Sequence, residues 1–89
     1  MYHLEIEEAA RKALKRVPGN IRQRVAHAID GLRLNPRPSG AKALRNHLEG
    51  YWRIRIDDYR VIYLIDDEVV IVTVVRIAQR DNDTYEDLI

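Results

Sequence analysis

The proline-rich stretch NPRPSG of residues 35–40 joins two long regions of different hydrophobic period, and that difference sets the fold class. From residue 7 to that stretch, apolar residues recur at three- and four-residue spacing, as on one face of a helix. After it, they alternate every second residue, as on strands. One kind of element cannot satisfy both periods, so the chain must pack helices from its first half against a sheet drawn largely from its second.

In the first half, Ala10, Ala13, Leu14 and Val17 mark a helix over residues 7–16, with Glu7 and Glu8 in its first turn and Lys15 and Arg16 in its last, as the helix dipole favours. Pro18 and Gly19 end it, and Asn20 can cap a second helix. That helix carries a stripe of Ile21, Val25, Ala28, Ile29 and Leu32 and runs to near Leu34, before Pro36. Ahead of both, residues 2–6 read as a short strand with Tyr2, Leu4 and Ile6 on one side. Beyond the loop, residues 51–56, 60–65 and 69–77 read as strands. Asp57-Asp58 and Asp66-Asp67 supply the turns, since an aspartate can hydrogen-bond its own backbone nearby. The predicted order is β-α-α-β-β-β: an α+β fold with a mainly antiparallel four-stranded sheet and a helical hairpin on one face.

With 89 residues, 46% of them hydrophobic, the chain suits a single domain over 1–89 with one core. It has no cysteine, so disulfides and thiolate metal sites are excluded, and His3, His27 and His47 lack metal-ligand spacing. No glycine-rich phosphate loop or nucleophile motif is present. Neither a metal nor a cofactor is predicted. The N-terminus lacks a basic segment followed by an apolar run, and no stretch approaches the roughly 18 apolar residues of a spanning helix, which favours the cytoplasm and no membrane partner.

The net charge of +1 conceals an asymmetry: residues 1–56 carry 12 Lys/Arg against 5 Asp/Glu, and residues 57–89 carry 3 against 9. A basic surface for an anionic partner is one reading, and a merely solvated charged surface the other. The stretch GYWRIRIDDYRVIY sharpens the question. Along its first strand Trp52, Ile54 and Ile56 point one way, and Tyr51, Arg53 and Arg55 the other. Arg60 shares its side with Ile62 and Leu64, opposite Val61, Tyr63 and Ile65; both sides are apolar, so parity leaves open which is inside. If the helices cover one face, Arg53, Arg55, Arg60, Arg76 and Arg80 can converge on the other beside Tyr51. Clustered guanidiniums make a receptor for phosphate and can stabilise charge developing in phosphoryl chemistry. Alternatively, Arg53 and Arg55 pair with Asp57, Asp58 or Glu49 on a solvent face.

Those residues also carry a resemblance. The helix EEAARKALKRVP, the turn IDGLRLNPRP, the core ALRNHLEGYWRIRIDDYRVIYLIDDEVVIVTVVRIAQR and a terminal tyrosine together resemble the RelE-type toxins of the RelE/ParE toxin–antitoxin superfamily over nearly the whole chain. The resemblance implies a RelE-like fold, similar to microbial ribonucleases. It also implies a toxin that enters the ribosomal A site and cleaves messenger RNA by attack of a ribose 2′-oxygen on the adjacent phosphorus. By position it makes Arg60, Arg80, Tyr85, Arg55 and Arg53 the catalytic set, with Arg60 and Arg80 on the scissile phosphate and Tyr85 stacking on or orienting the substrate. Arg53, Arg55, Tyr51, Arg76, Lys42 and Arg45 form the RNA-binding set. Arginine stands at 53 and 55 where relatives often carry lysine, and Gln79 where many carry histidine, so the general base stays open. The implied partners are a small, partly disordered RelB-like antitoxin, the ribosome and messenger RNA, and an operator DNA reached only through the antitoxin. A ParE-like inhibitor of DNA gyrase and a catalytically silent member of a repressor complex are the alternatives within the same resemblance.

Overall fold

Residues 1–79 are described by the computed structural model, and in them the change of period divides two helices from the main run of strands. β1 (His3–Ile6) leads into α1 (Glu8–Arg16) and α2 (Gly19–Gly31). After the proline loop come β2 (Lys42–Ala43), a single 3₁₀ turn at Asn46–Leu48, β3 (Tyr51–Ile56), β4 (Tyr59–Asp66) and β5 (Ile71–Gln79). The sheet order is β1-β5-β4-β3-β2, with β1 parallel to β5 and the other pairs antiparallel. The α+β class and the element order agree with the sequence reading. The sheet has five strands instead of four, because Lys42–Ala43 adds an edge strand too short to show any period.

Two boundaries move for local reasons. Pro18 takes the N-cap position of α2 and Gly19 its first turn, so Asn20 lies inside the helix and does not cap it. The proline carbonyl accepts the Arg22 N–H at 2.7 Å, and the fixed proline φ suits a helix entrance. At the other end α2 stops at Gly31, whose carbonyl accepts N–H groups from both Leu34 and Asn35 at 3.1 Å. Leu34 therefore falls past the helix and is 74% exposed.

The core decides what parity left open. Ala10, Val25, Ile29 and Leu32 of the helices and their junctions pack with Ile54, Val61, Tyr63, Val72, Val74 and Ile77 of the strands. Tyr2, Leu4, Ile6, Trp52 and Ile56 pack around them. Val61 and Tyr63 thus face the helices, and Arg60, Ile62 and Leu64 face away. Tyr63 is fully buried, and its hydroxyl donates to the Pro36 carbonyl at 2.7 Å, fastening the proline loop to the sheet. Burial pushes that hydroxyl up to about 12, so it is a neutral donor throughout the usual pH range.

A polar network closes the pole of the sheet next to the proline loop. Asp67 accepts hydrogen bonds from Tyr2 Oη and Arg37 Nη2, each at 2.8 Å, and the Arg37 guanidinium lies 5.3 Å from the Trp52 ring centre. The bonds from Arg37 and Tyr2 hold the Asp67 carboxyl below its ordinary range. The neighbouring turn is set by Asp66, whose Oδ1 accepts the N–H of Glu68 at 3.0 Å and of Val69 at 3.2 Å. This turn delays the last strand to Ile71, leaving Val69 60% exposed. Val70 ends the turn at φ 62°, a left-handed conformation that β-branched residues rarely adopt.

Candidate functional site

Register places the cations in two adjacent rows on the sheet face away from the helices. Arg55 stands directly opposite Arg60, which stands opposite Ala78. One pair along, Lys42 lies opposite Arg53, Arg53 opposite Ile62, and Ile62 opposite Arg76. The next row on this face holds Tyr51, Leu64, Thr73 and Glu5. Five of the predicted contact residues, Lys42, Arg53, Arg55, Arg60 and Arg76, are therefore gathered at one end of one surface, with Tyr51 beside them.

Arg76 reaches that face through an irregularity that alternation alone misses. Val72 and Val74 are buried against the helices, so a regular strand would turn Arg76 inward as well. Instead the ladder passes from Tyr63↔Val74 to Ile62↔Arg76, leaving Val75 as an extra residue on β5. This β-bulge reverses parity, sending Ile77 into the core and Arg76 to the open face. The sequence signal for it is the pattern VTVVRI, in which two valines precede an arginine that cannot be buried cheaply beside Val72 and Val74.

Like charges directly opposite one another repel across a sheet, and Arg55 and Arg60 stand in that register. The alternative in which nearby carboxylates pair with Arg53 and Arg55 fails on geometry. Asp57 is bonded to Arg24 of α2, and among the described residues no carboxylate pairs with Lys42, Arg53 or Arg55. Arg53 is only 8% exposed, lying in its row between Lys42 and the buried Ile62, which limits the directions its fork can take. A planar, always-charged donor held this way suits a phosphate oxygen better than a mobile surface contact would.

The remaining predicted residues are not in these rows. Arg45 sits on the connection between β2 and β3, past the Leu44 N–H that bonds to Tyr51 O, and so lies beyond the Tyr51 end of the surface. Arg80 and Tyr85 lie outside the described residues. Two residues not singled out in the sequence join the site: Ser39 and Gly40 line a cavity with Lys42, Arg53 and Arg55. Gly40 takes φ 93° there, which its lack of a side chain allows and which bends the chain from the loop into β2. Among the described residues no group of three or more His, Cys, Asp or Glu side chains is placed to hold a metal ion. No helix among them is long and apolar enough to cross a membrane.

Comparison with known proteins agrees with this architecture. Residues 4–84 match the family model described as the ParE toxin of the type II toxin–antitoxin system parDE. The chain is 39% identical over 79 residues to a protein of Mycobacterium tuberculosis named Toxin RelE, covering 89% of this chain and 81% of that one. Among solved structures, a chain of the RelBE2 toxin–antitoxin complex of Mycobacterium tuberculosis superimposes with a TM-score of 0.79 at 32% identity, covering 89% of this chain and 98% of that one. The archaeal RelE–RelB complex of Pyrococcus horikoshii gives a TM-score of 0.79 at 25% identity, with 91% and 97% covered. The isolated E. coli RelE toxin shares the fold, with a TM-score of 0.77 at 22% identity and coverage of 99% and 95%. On its sequence, its fold and the match to relatives along most of their length, the chain belongs to the RelE/ParE superfamily of type II toxin–antitoxin systems as a RelE-type toxin.

Proposed function

We propose that this toxin is an endoribonuclease that cleaves messenger RNA in the ribosomal A site and so halts translation. The observation that carries the reading is the pair of cation rows, Arg55–Arg60 and Lys42–Arg53–Ile62–Arg76, on a rigid sheet face without carboxylate partners for Lys42, Arg53 and Arg55 among the described residues. In the reaction the ribose 2′-oxygen forms a bond to the adjacent phosphorus as the bond from phosphorus to the 5′-oxygen breaks. The 2′-proton is removed, and a proton is delivered to the leaving 5′-oxygen. The substrate supplies its own nucleophile, so the protein's part is to position RNA and stabilise the extra negative charge on phosphorus.

Arg60 and Arg80 hold the scissile phosphate in this proposal, with Arg80 near the leaving oxygen. Arg53 and Arg55 contact the RNA or assist proton removal, although a guanidinium, which scarcely loses its proton, is a weak base. Tyr51, Arg76, Lys42 and Arg45 track the backbone, and Tyr85 stacks on or orients the substrate. The ribosome would supply what the isolated chain lacks, chiefly the conformation of the RNA. A cognate antitoxin would mask the arginine face; the structural relatives include a RelBE2 toxin–antitoxin complex and a RelE–RelB complex. Contact with operator DNA would run through that antitoxin.

A second reading, inhibition of DNA gyrase, is favoured by the description of the matching family model as a ParE toxin. The two are separated by adding the purified chain to programmed ribosomes and mapping RNA ends while gyrase supercoiling is followed in parallel. New RNA ends with unaffected supercoiling support the nuclease; the reverse supports the gyrase inhibitor.

A further inference from the structure

Two cavities of about 280 Å³ each flank the same stretch of β3 and share Ser39, Ile54 and Arg55 in their walls. Their chemistry differs. One is cationic, completed by Gly40, Lys42 and Arg53, and the other is largely apolar, with Ala28, Gly31, Pro38 and Ile56 in its wall and Asn35 adding an amide. Both exist because β2 pairs only with Trp52 and Arg53, so the outer edge of β3 at residues 54–56 has no strand beside it. The proline loop, through Pro38, Ser39 and Gly40, supplies wall facing that edge. Tyr63 Oη fixes the loop through Pro36, so the gap is a built feature of the fold.

We propose that the two cavities together form a subsite for one nucleotide, the cationic half taking a phosphate and the apolar half the base of that nucleotide. A phosphate matches Lys42, Arg53 and Arg55, whose charges no described carboxylate neutralises, with the Ser39 hydroxyl as a further donor. A base is a flat, mostly apolar body with polar edges, and it matches walls of Ala28, Pro38, Ile54 and Ile56 with one amide. Asn35 Oδ1 already accepts the Arg37 N–H at 3.1 Å, which leaves its amide NH₂ to donate to a base acceptor. Charge complementarity in the adjoining half selects a nucleotide over an apolar ligand. Its place in the reaction rests on the RNA-cleaving reading: the subsite lies beside Arg55, the partner of Arg60, and would hold a nucleotide flanking the scissile phosphate and contribute to sequence preference.

Gly31 allows the halves to be tested separately. Gly31 lines the apolar half and a Cβ added there meets nothing within 4 Å, so Gly31→Leu adds bulk at the wall of that half with room for its first atom. Adenosine and uridine 5′-monophosphate are titrated into the purified chain beside inorganic phosphate, following backbone amide NMR shifts. The expected result is shifts at Ser39, Gly40, Ile54 and Arg55, with at least one nucleotide binding about tenfold tighter than phosphate, as burial of part of one base face against apolar walls supplies. Gly31→Leu should remove that advantage and keep phosphate binding, while Lys42→Ala weakens both ligands. Equal affinity for nucleotide and phosphate, or a nucleotide advantage unchanged in a folded Gly31→Leu, overturns the proposal. So does the finding that the β3 edge answers only to an extended segment of a partner protein. On programmed ribosomes, Gly31→Leu should alter which flanking nucleotide is preferred. If the wild-type chain cleaves no RNA yet the nucleotide titration behaves as described, the nuclease reading fails and the nucleotide site stands.

Discussion

Replacing Tyr63 with phenylalanine removes one oxygen atom from a fully buried position and isolates what holds the proline loop against the sheet. The lost hydrogen bond to Pro36 O is 2.7 Å long and lies in the protein interior, and Pro36 is itself buried, so its carbonyl is left without that donor. A neutral buried bond contributes about 1 kcal/mol net, and stranding its acceptor brings the expected loss to about 1–2 kcal/mol. For a domain of this size each kcal/mol moves the midpoint by about 4–8 °C, so thermal unfolding followed by circular dichroism should show a drop of about 5–15 °C. Because burial raises the hydroxyl to about 12 in the fold, its neutral form is the one the fold favours. Its contribution is therefore complete below the ordinary tyrosine range and is lost as pH rises from there towards the folded value. The drop should accordingly be the same at pH 6 and pH 8. Amide exchange at residues 39–41, including the Ala41 N–H bonded to the Pro38 carbonyl, should quicken more than exchange in α1, since the loop loses its fastening while the helix does not. A midpoint within 1–2 °C of wild type, or exchange quickened evenly throughout, would refute the view that this bond fixes the loop beside Arg53 and Arg55.

Arg60→Ala and Arg80→Ala should each lower ribosome-dependent cleavage by about a hundredfold or more, as for loss of a contact made to the developing charge, with an unchanged far-ultraviolet spectrum; normal cleavage by both folded variants would remove them from the site. Asp67→Asn should destabilise the chain at neutral pH and progressively less in acid: the depressed carboxyl contributes stability above the ordinary aspartate range and loses it as pH falls through the lowered folded value, so midpoints of wild type and variant should converge at low pH. Val70→Asn should stabilise by about 1 kcal/mol, because asparagine tolerates the left-handed backbone that valine resists, and a lower midpoint would show that the turn is not strained. Co-expression with the adjacent small open reading frame should relieve growth arrest and yield a co-purifying complex; a harmless chain with no binding product would count against the toxin's proposed action on RNA.

The α+β order was legible because period and turn chemistry agree along the chain: Tyr51–Ile56 alternates cleanly, and Asp66 bonds the backbone N–H groups that follow it. What escaped depends on contacts distant in sequence. Lys42–Ala43 is a strand only because Arg53 and Trp52 stand beside it, and two residues have no period. The bond from Arg24 to Asp57 joins residues 33 positions apart and resolves a choice that charge counting left open. The arginine face was readable on β3 from alternation alone. On β4 it required knowing which apolar side the helices cover, and on β5 it required the bulge at Val75. A strict two-residue period places Arg76 with Val72 and Val74, so the residue most dependent on irregular backbone was the one whose facing the sequence could least explain. The same applies to Ser39 and Gly40, which enter the site through the path of a loop and not through any pattern of their own.

The measurement that bears most directly on the central claim is the mapping of RNA ends after the purified wild-type chain is mixed with ribosomes programmed with a defined message and stalled with a vacant A site. The account predicts new ends within the A-site codon, carrying a 5′-hydroxyl on the downstream fragment, absent when the ribosomes are omitted. Intact message under those conditions, together with inhibition of supercoiling by gyrase, would contradict it.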